Sequence, residues 1–321
     1  MSTAIEPVVT SRTNESGANE PRTSLRTLLR DYSELTKFRV TVLLVATAWC
    51  GYYFGALKAG LPTFSWGLFH ALLGIGLVSS GAAALNEVME RDVDARMRRT
   101  ARRPLPSGRM SVFHGTMAGS VMTLGGTLYL GLMLNVLTAC LALATAVVYL
   151  AAYTPLKTVH PICTLVGAFP GAMPGVLGWT AARGHFDLGA FILFAIVFFW
   201  QFPHFFAIAW LYREDYKSGG ILMLPVVEPD GQSTSRNILI YSLSLVPVTL
   251  MPTLLHLAGT IYFAGAILLG FGFFFFSARL ATLRLPIESP ISKQRARHLL
   301  RATVIYLPLL FALMMIDKVS S

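Results

Sequence analysis

The chain has 321 residues, of which 54% are apolar and only 13% are charged, and its mean hydropathy is +0.60. A soluble domain carries about 25% charged residues, so this composition excludes a soluble globule and indicates a polytopic membrane protein. The net charge of +10 would suit a nucleic-acid partner, but the basic residues lie between long apolar runs, which argues against one. All three cysteines fall inside those runs, so a disulfide scaffold and a cysteine zinc site are excluded.

Runs of about 20 apolar residues predict membrane-spanning helices, because that length crosses about 30 Å of hydrocarbon. The sequence predicts an all-α fold with nine such spans. Their ranges are 40–57, 66–86, 114–133, 136–153, 162–181, 188–211, 237–255, 259–278 and 299–316. Very short connections at Asn135 and Gly259 predict two tight antiparallel hairpins. A β-barrel fits poorly, since its strands would alternate apolar and polar residues.

The first 35 residues are polar and contain no apolar core. We expect 1–35 to be a disordered cytoplasmic tail that ends in a short amphipathic lead-in at 25–32. No apolar signal segment precedes residue 40, so a cleavable signal peptide is not expected. The membrane domain is then expected to comprise residues 36–321.

The distribution of basic residues between the spans predicts the orientation of the chain, because cytoplasmic loops are enriched in Lys and Arg. With the N-terminus in the cytoplasm, 23 of the 26 basic residues fall in cytoplasmic segments. Only Lys58, Arg183 and Lys318 fall on the other side. Nine spans then place the C-terminus outside a cell (inner) membrane.

Acidic residues cluster after the second predicted span, on the expected cytoplasmic face. If that span continues as a helix, Asn86, Glu90 and Asp94 lie at i, i+4 and i+8 on one face. The carboxylates repel each other there, and a Mg²⁺ ion with oxygen ligands would relieve the repulsion. We call these three residues the clamp. The arginines that follow are expected to bind a diphosphate beside it; they are Arg96, Arg98, Arg99, Arg102 and Arg103.

Less specific interpretations of these residues stay open. Arginines after a membrane helix are usually topology anchors at lipid headgroups, and alternating charges can form a solvated, salt-bridged helix face. Lys157, the one charged residue of its loop, suits either a phosphate contact or one more anchor. The presence of two acidic clusters on the same face favours the functional interpretation.

The second acidic cluster follows the sixth predicted span. It contains Glu214 and Asp215, flanked by Tyr212 and Tyr216. His204 lies about two turns before this loop, inside the span, where polar residues are costly and tend to be functional. We expect His204 to bind a ligand or transfer a proton, the alternative being a hydrogen-bonded packing residue.

Glycines recur every fourth residue at Gly167, Gly171 and Gly175. Such a stripe usually permits close helix packing, which is the favoured interpretation, although it would also let a flat ligand approach the backbone.

A longer pattern surrounds the clamp, and it continues in later segments. It runs Asn86-x-x-x-Glu90-x-x-x-Asp94-x-x-Met97-x-Arg99-Thr100-x-x-Arg103-Pro104-Leu105, with further matches at 153–157, 167–174, 178–179, 200–205 and 215–216. It closely resembles the signature of the heme O synthases (protoheme IX farnesyltransferases), a family of the UbiA superfamily of intramembrane prenyltransferases. The resemblance covers about residues 35 to 316. It implies nine helices around a chamber capped by cytoplasmic loops.

The sequence departs from this pattern at three positions. Many superfamily members have a second Asp-x-x-x-Asp motif, but here Tyr212 and Tyr216 fall near those places and leave Glu214 and Asp215. Cys163 stands where close relatives have Asn. The ligands of a second metal ion are therefore open.

The resemblance implies transfer of a farnesyl group from farnesyl diphosphate to a vinyl group of heme b, with addition of water. Mg²⁺ on the clamp would neutralise the leaving diphosphate, helped by Arg99, Arg103 and Lys157, and His204 would contact the heme iron or a propionate, or handle a proton. Lipid and partners in heme–copper oxidase assembly are also implied. The rival activities are prenylation of an aromatic quinone precursor and secondary transport.

Overall fold

The computed structural model describes residues 25–282 and 285–319. Within these ranges the chain is helical, and its only β-type pairing is an isolated bridge between Ala258 and Lys318. In chain order the helices are α1 (Leu25–Leu35), α2 (Phe38–Lys58), α3 (Trp66–Met89), α4 (Arg91–Ala95), α5 (Val112–Met133), α6 (Val136–Val147), α7 (Thr154–Leu156), α8 (Cys163–Arg183), α9 (Leu188–Leu211), α10 (Arg213–Gly219), α11 (Leu224–Val227), α12 (Gln232–Leu254), α13 (Thr260–Ala281) and α14 (Pro290–Ile316). A π-helical segment, Val148–Tyr153, joins α6 to α7, so Val136–Leu156 is one continuous helix. The predicted all-α class is confirmed.

Seven helices in the described part of the chain are long and apolar enough to cross a membrane. They are α2, α3, the Val136–Leu156 helix, α9, α12, α13 and α14. Two more, α5 and α8, have 22 and 21 residues and coincide with the predicted spans 114–133 and 162–181. Their many glycine and threonine residues make them less apolar. The multi-pass membrane class is therefore confirmed, whereas the number of nine spans stays a prediction.

The disorder predicted for 1–35 does not extend to residue 35, because the amphipathic lead-in predicted at 25–32 lies in the helix Leu25–Leu35. Leu35 is fully buried, and Asp31 accepts a hydrogen bond from Arg109 Nε at 3.0 Å. A second contact joins Arg109 to Glu34 at 3.1 Å. These contacts fix α1 on the loop before α5. The rest of the predicted tail, 1–24, lies outside the described residues.

Glycines allow α2 and α8 to pack with their backbones in contact. A Cβ on Gly51 would lie 1.9 Å from the carbonyl oxygen of Gly175, and one on Gly178 would lie 1.9 Å from that of Ala48. Side chains larger than hydrogen cannot fit at such distances. The close contact therefore depends on Gly51 and Gly178, and Gly175 takes part through its carbonyl group. A Cβ on Gly175 itself would lie 3.4 Å from Leu193 Cβ, while Gly171 faces the side chain of Gln201.

Helix ends from distant parts of the sequence meet at one end of the bundle. Lys37, directly before α2, donates a hydrogen bond to Asn86 at the end of α3. Trp210 near the end of α9 donates to Ser292 near the start of α14 at 2.7 Å. At the opposite end, Asn135 caps α6 by accepting the Thr138 N–H at 2.8 Å, and the Gly259 N–H donates to the Asp317 carbonyl at 2.7 Å. Both predicted hairpins are present. The clamp residues lie at the first of these two ends.

Candidate active site

The clamp is formed by the end of α3 and the short helix α4. Asn86 is in the last turn of α3, Glu90 is its C-cap residue with φ −93° and ψ 6°, and Asp94 is in α4. The helix therefore breaks at Glu90, where the sequence predicts continuity. The i+4 register survives the break, because Glu90 N–H donates to Asn86 O at 2.9 Å and Asp94 N–H donates to Glu90 O at 2.7 Å. Asn86 and Asp94 are almost completely buried.

Each clamp residue is hydrogen-bonded to a different cationic side chain. Lys37 Nζ donates to Asn86 Oδ1 at 2.5 Å. Lys157 Nζ lies 2.6 Å from Glu90 Oε1. Arg103 Nη1 lies 2.6 Å from Asp94 Oδ2. Three cations from three segments thus meet the three oxygen groups that the sequence predicts as metal ligands.

The π-helical segment Val148–Tyr153 precedes two residues of the site, Thr154 and Lys157. A π-helix widens the backbone and is frequent at functional sites. Thr154, directly after it, donates to the Tyr149 carbonyl at 2.8 Å and accepts from Asn86 Nδ2 at 2.9 Å. The Lys157 ammonium lies 4.5 Å from the centre of the Tyr153 ring, within cation–π range. The Asn86 amide is thereby oriented, with its nitrogen towards Thr154 and its oxygen towards Lys37.

Lys157 remains positively charged in this position. Burial alone would lower the pKa of Lys157, but Tyr153 and the Glu90 carboxylate outweigh burial and raise the pKa above its ordinary value. The Lys157 ammonium and Glu90 therefore form an ion pair whose two side chains are largely buried.

Two of the arginines predicted to bind a diphosphate have different surroundings. Arg103 pairs with Asp94, as described above. Arg99 lies between two aromatic rings, with its guanidinium carbon 5.1 Å from the Tyr212 ring centre and 5.7 Å from that of Tyr216. A cavity of about 490 Å³ opens beside Arg99 and is also lined by Arg98. Only Arg103 thus contacts the clamp directly.

The second acidic loop, 212–216, supports the arginine-rich loop, 96–103. The two carboxylate oxygens of Asp215 accept the backbone N–H groups of Arg98 and Arg99, each at 3.2 Å. Glu214 is exposed. The carboxylate of Asp215 therefore has backbone partners here, and no described contact joins it to the clamp.

His204 lies apart from the clamp, between α9 and α14. Its Nδ1 is 2.8 Å from Thr303 Oγ1, and the Trp200 ring packs nearly parallel to the imidazole with centres 4.9 Å apart. Trp200 Nε1 donates to the Thr303 carbonyl at 2.9 Å. The hydrogen bond and the ring contacts of His204 are thus with residues of α9 and α14.

Three residues of the site are absent from the sequence-based prediction. Lys37 and Thr154 contact Asn86, and Glu87 is fully buried next to it. Glu87 Oε1 accepts the Leu105 N–H at 3.4 Å, while Oε2 is buried without a partner among the described residues. Signals existed for Glu87, which belongs to the acidic cluster, and for Thr154, which lies in the matching segment 153–157. Lys37 lies 49 residues before Asn86 and carries no local pattern.

The donor set of the clamp suits Mg²⁺. All three groups are oxygen donors, the kind that this hard cation prefers, and the unpartnered Glu87 Oε2 lies beside them. Among the described residues, no three His, Cys, Asp or Glu side chains form a metal cage. Mg²⁺ is typically held by one or two carboxylates and completed by substrate phosphates. The arrangement therefore suits a metal ion that binds together with a phosphate ligand.

Comparison with known proteins identifies the family. Residues 43–300 match the UbiA prenyltransferase family. A protoheme IX farnesyltransferase of Koribacter versatilis is 64% identical over 93% of this chain and 96% of its own length. The protoheme IX farnesyltransferase of Solibacter usitatus is 45% identical over 90% and 99%. The chain belongs to the protoheme IX farnesyltransferases of the UbiA family. The resemblance seen in the sequence is confirmed, and this UbiA protein is an intramembrane prenyltransferase.

Solved structures share the fold of this UbiA prenyltransferase. A digeranylgeranylglyceryl phosphate synthase aligns with a TM-score of 0.72 at 16% identity, covering 90% of this chain and 98% of that one. A UbiA homolog from Archaeoglobus fulgidus bound to GPP and Mg²⁺ aligns with a TM-score of 0.61 at 17% identity, covering 88% and 99%. At such identities the likeness establishes the fold alone.

Proposed function

We propose that this chain transfers a farnesyl group from farnesyl diphosphate to a vinyl group of heme b, giving heme O. The bond between the farnesyl carbon and the diphosphate breaks, the vinyl group forms a new carbon–carbon bond, and water adds its oxygen and releases a proton. The relatives named protoheme IX farnesyltransferase support the donor and the acceptor. The observation that carries the proposal within the structure is the pairing of three oxygen donors with three cations at one end of the bundle.

The clamp is proposed to hold Mg²⁺ through Asn86, Glu90 and Asp94. When bound, the ion would neutralise charge on the departing diphosphate. Lys37, Lys157 and Arg103 would then lose their clamp partners and turn to the anionic phosphate oxygens. The same cations can thus serve the site with and without substrate.

Arg99 is proposed as a further diphosphate contact, held in place by Tyr212, Tyr216 and Asp215. Two rings flank the guanidinium, and Asp215 fixes the backbone from which Arg99 projects. This gives the second loop a positioning role. A metal-binding role for Glu214 or Asp215 has less support, because Asp215 is engaged by the backbone.

The reaction is proposed to take place at the cytoplasmic face of a cell (inner) membrane, with the N-terminus inside and the C-terminus outside. The basic segments between the spans support this orientation. An apolar interior would exclude water from the allylic cation that forms when the diphosphate leaves. His204 is proposed to contact the heme. Nothing in the described chain supports the expected partners in oxidase assembly.

The test supplies labelled farnesyl diphosphate to purified protein in lipid vesicles, with either heme b or 4-hydroxybenzoate. We expect labelled heme O, dependence on Mg²⁺ and inhibition by EDTA. Asn86→Ala and Asp94→Ala should abolish product formation. The matched control is Asp92→Ala, which removes a carboxylate that is 84% exposed.

Product from 4-hydroxybenzoate but not from heme b would instead favour the quinone-precursor activity. Turnover by Asp94→Ala at the wild-type rate would refute the metal clamp. Secondary transport has little support, because the carboxylates of the clamp lie at helix ends rather than in mid-helix.

A further inference from the structure

The cavity beside Arg99 is separate from the clamp. Its volume is about 490 Å³, within the range of about 300–1,000 Å³ that is typical of small-ligand sites. Its walls come from the arginine-rich loop, the second acidic loop, the end of α9 and the segment 287–293. Neither the clamp residues nor the cations paired with them line it. A ligand in this cavity would therefore occupy a site other than the clamp.

The acidic side chains of the cavity have partners already or face solvent. Both carboxylate oxygens of Asp215 accept backbone N–H groups of the arginine-rich loop. Glu288 accepts a hydrogen bond from Arg213 Nη1 at 2.9 Å, and Glu214 is exposed. Arg213 also donates to the carbonyl oxygen of Glu228 at 3.0 Å, which fixes this part of the wall. These carboxylates therefore leave the other cations of the cavity without a counter-charge.

Three cationic side chains of the cavity have no acidic partner in the described part of the chain. They are Arg98, Arg99 and Lys293. Lys293 is half-buried and lies in the first turn of α14, where the helix dipole disfavours a positive charge. Like charges around one cavity also repel each other. A bound anion would relieve both effects.

The groups that are free to bind a ligand in this cavity are N–H donors. Trp210 is buried and donates to Ser292, and the Arg99 guanidinium lies over the Tyr212 ring. Guanidinium groups bind phosphate oxygens in pairs, and an ammonium group adds a point charge. A terminal phosphate offers three acceptor oxygens and up to about two negative charges, more than a carboxylate does. Three cations around one cavity therefore favour a phosphate group.

We infer that this cavity is a second anion site, which binds a phosphate group without a metal ion through Arg98, Arg99 and Lys293. The inference goes beyond the proposed function. It shares Arg99 with that proposal, but it would stand if the chain prenylated another acceptor. The phosphate has two possible sources, a diphosphate in solution and a lipid headgroup, because the cavity lies where α9 ends and α14 begins.

The test titrates the purified full-length protein in detergent with pyrophosphate by calorimetry, in EDTA so that no metal ion occupies the clamp. A second arm uses dioctanoyl phosphatidic acid, and dioctanoylglycerol provides the same chains without the phosphate. Lys293→Gln and Arg98→Gln should each weaken binding roughly tenfold. The matched controls are Lys217→Gln and Arg102→Gln, which change exposed cations outside the cavity and should bind as the wild type does.

Pyrophosphate binding that falls in the two cavity variants, but not in the controls, would support a site for free phosphate. The same pattern with phosphatidic acid, and no binding of dioctanoylglycerol, would support a site for a lipid headgroup. No binding in either arm, or equal binding by the wild type and both cavity variants, would overturn the inference. The thermal unfolding temperature of each variant is measured alongside, so that a loss of fold is not mistaken for a loss of the site.

Discussion

Lys37 is expected to compete with Mg²⁺ for the Asn86 oxygen, so its removal should strengthen metal binding in the absence of diphosphate. Its Nζ donates to Asn86 Oδ1 at 2.5 Å. A metal ion can bind that oxygen only after the ammonium leaves. Hydrogen bonds of charged groups contribute about 1.5–3 kcal/mol. Lys37 is half-buried, and solvent screening therefore favours the lower end of this range.

A difference of about 1.4 kcal/mol corresponds to a factor of ten in affinity. We therefore expect Lys37→Met to bind Mg²⁺ alone about tenfold more tightly than the wild type does. With pyrophosphate present the sign should reverse, because Lys37 would then contact phosphate. In that case we expect the variant to bind the metal–pyrophosphate pair about tenfold more weakly.

The assay uses Mn²⁺ as a paramagnetic substitute for Mg²⁺. Electron paramagnetic resonance measures the concentration of free Mn²⁺ over detergent-solubilised protein, with and without pyrophosphate. The matched control is Lys58→Met, the same substitution at the opposite end of α2. Lys37 has φ 48°, a strained value for lysine and methionine alike, so the substitution adds no new backbone cost. Loss of affinity both with and without pyrophosphate would refute the competition and indicate a purely structural Lys37.

Three further predictions concern the framework of the site. Asp215→Ala should release the backbone of Arg98 and Arg99 and should slow product formation. Faster protease cleavage at these arginines would reveal the release. Glu214→Ala changes an exposed side chain and should affect neither cleavage nor product formation. Gly178→Ala should lower the thermal unfolding temperature in detergent, because its Cβ would lie 1.9 Å from the Ala48 carbonyl oxygen, and such overpacking costs at least about 1–3 kcal/mol. Gly272→Ala is the control, since the space around Gly272 is open, and it should leave the unfolding temperature unchanged. Equal stability of the two variants would contradict the packing. Lys157→Met should lower the free energy of unfolding by about 3 kcal/mol, because it leaves Glu90 buried without its partner. Adding Glu90→Gln to this variant should recover much of the loss. If denaturant titrations show that the two losses are additive, the side chains are not coupled.

The spacing of the clamp could be predicted from the sequence because it depends on a local property. Residues four apart share a helix face, and this register holds from Asn86 to Asp94 even though the helix breaks at Glu90. The partners of these residues could not be predicted in this way. Lys37 precedes Asn86 by 49 residues and Thr154 follows it by 68, so only the packing of whole helices brings them together.

Residue chemistry alone also left the second loop ambiguous. A carboxylate beside tyrosines can bind a metal or accept backbone hydrogen bonds, and its sequence is the same in both cases. The structure gives Asp215 two backbone partners in the arginine-rich loop. Likewise, the amphipathic pattern at 25–32 is visible in the sequence, whereas the pairing of Asp31 with Arg109, far along the chain, is not.

The pairing of clamp oxygens with cations answers a physical difficulty of this site. Burying a carboxylate without a partner is energetically costly, and an apolar interior has few polar groups that could pair with it. Lys157 pairs with Glu90 and Arg103 pairs with Asp94, and under the proposed function a diphosphate with its metal ion would replace both sets of partners at once. Metal or diphosphate alone would leave one set of charges unpaired. The two should therefore bind cooperatively, and substitutions that weaken the cations should reduce this cooperativity as well as the affinity for diphosphate.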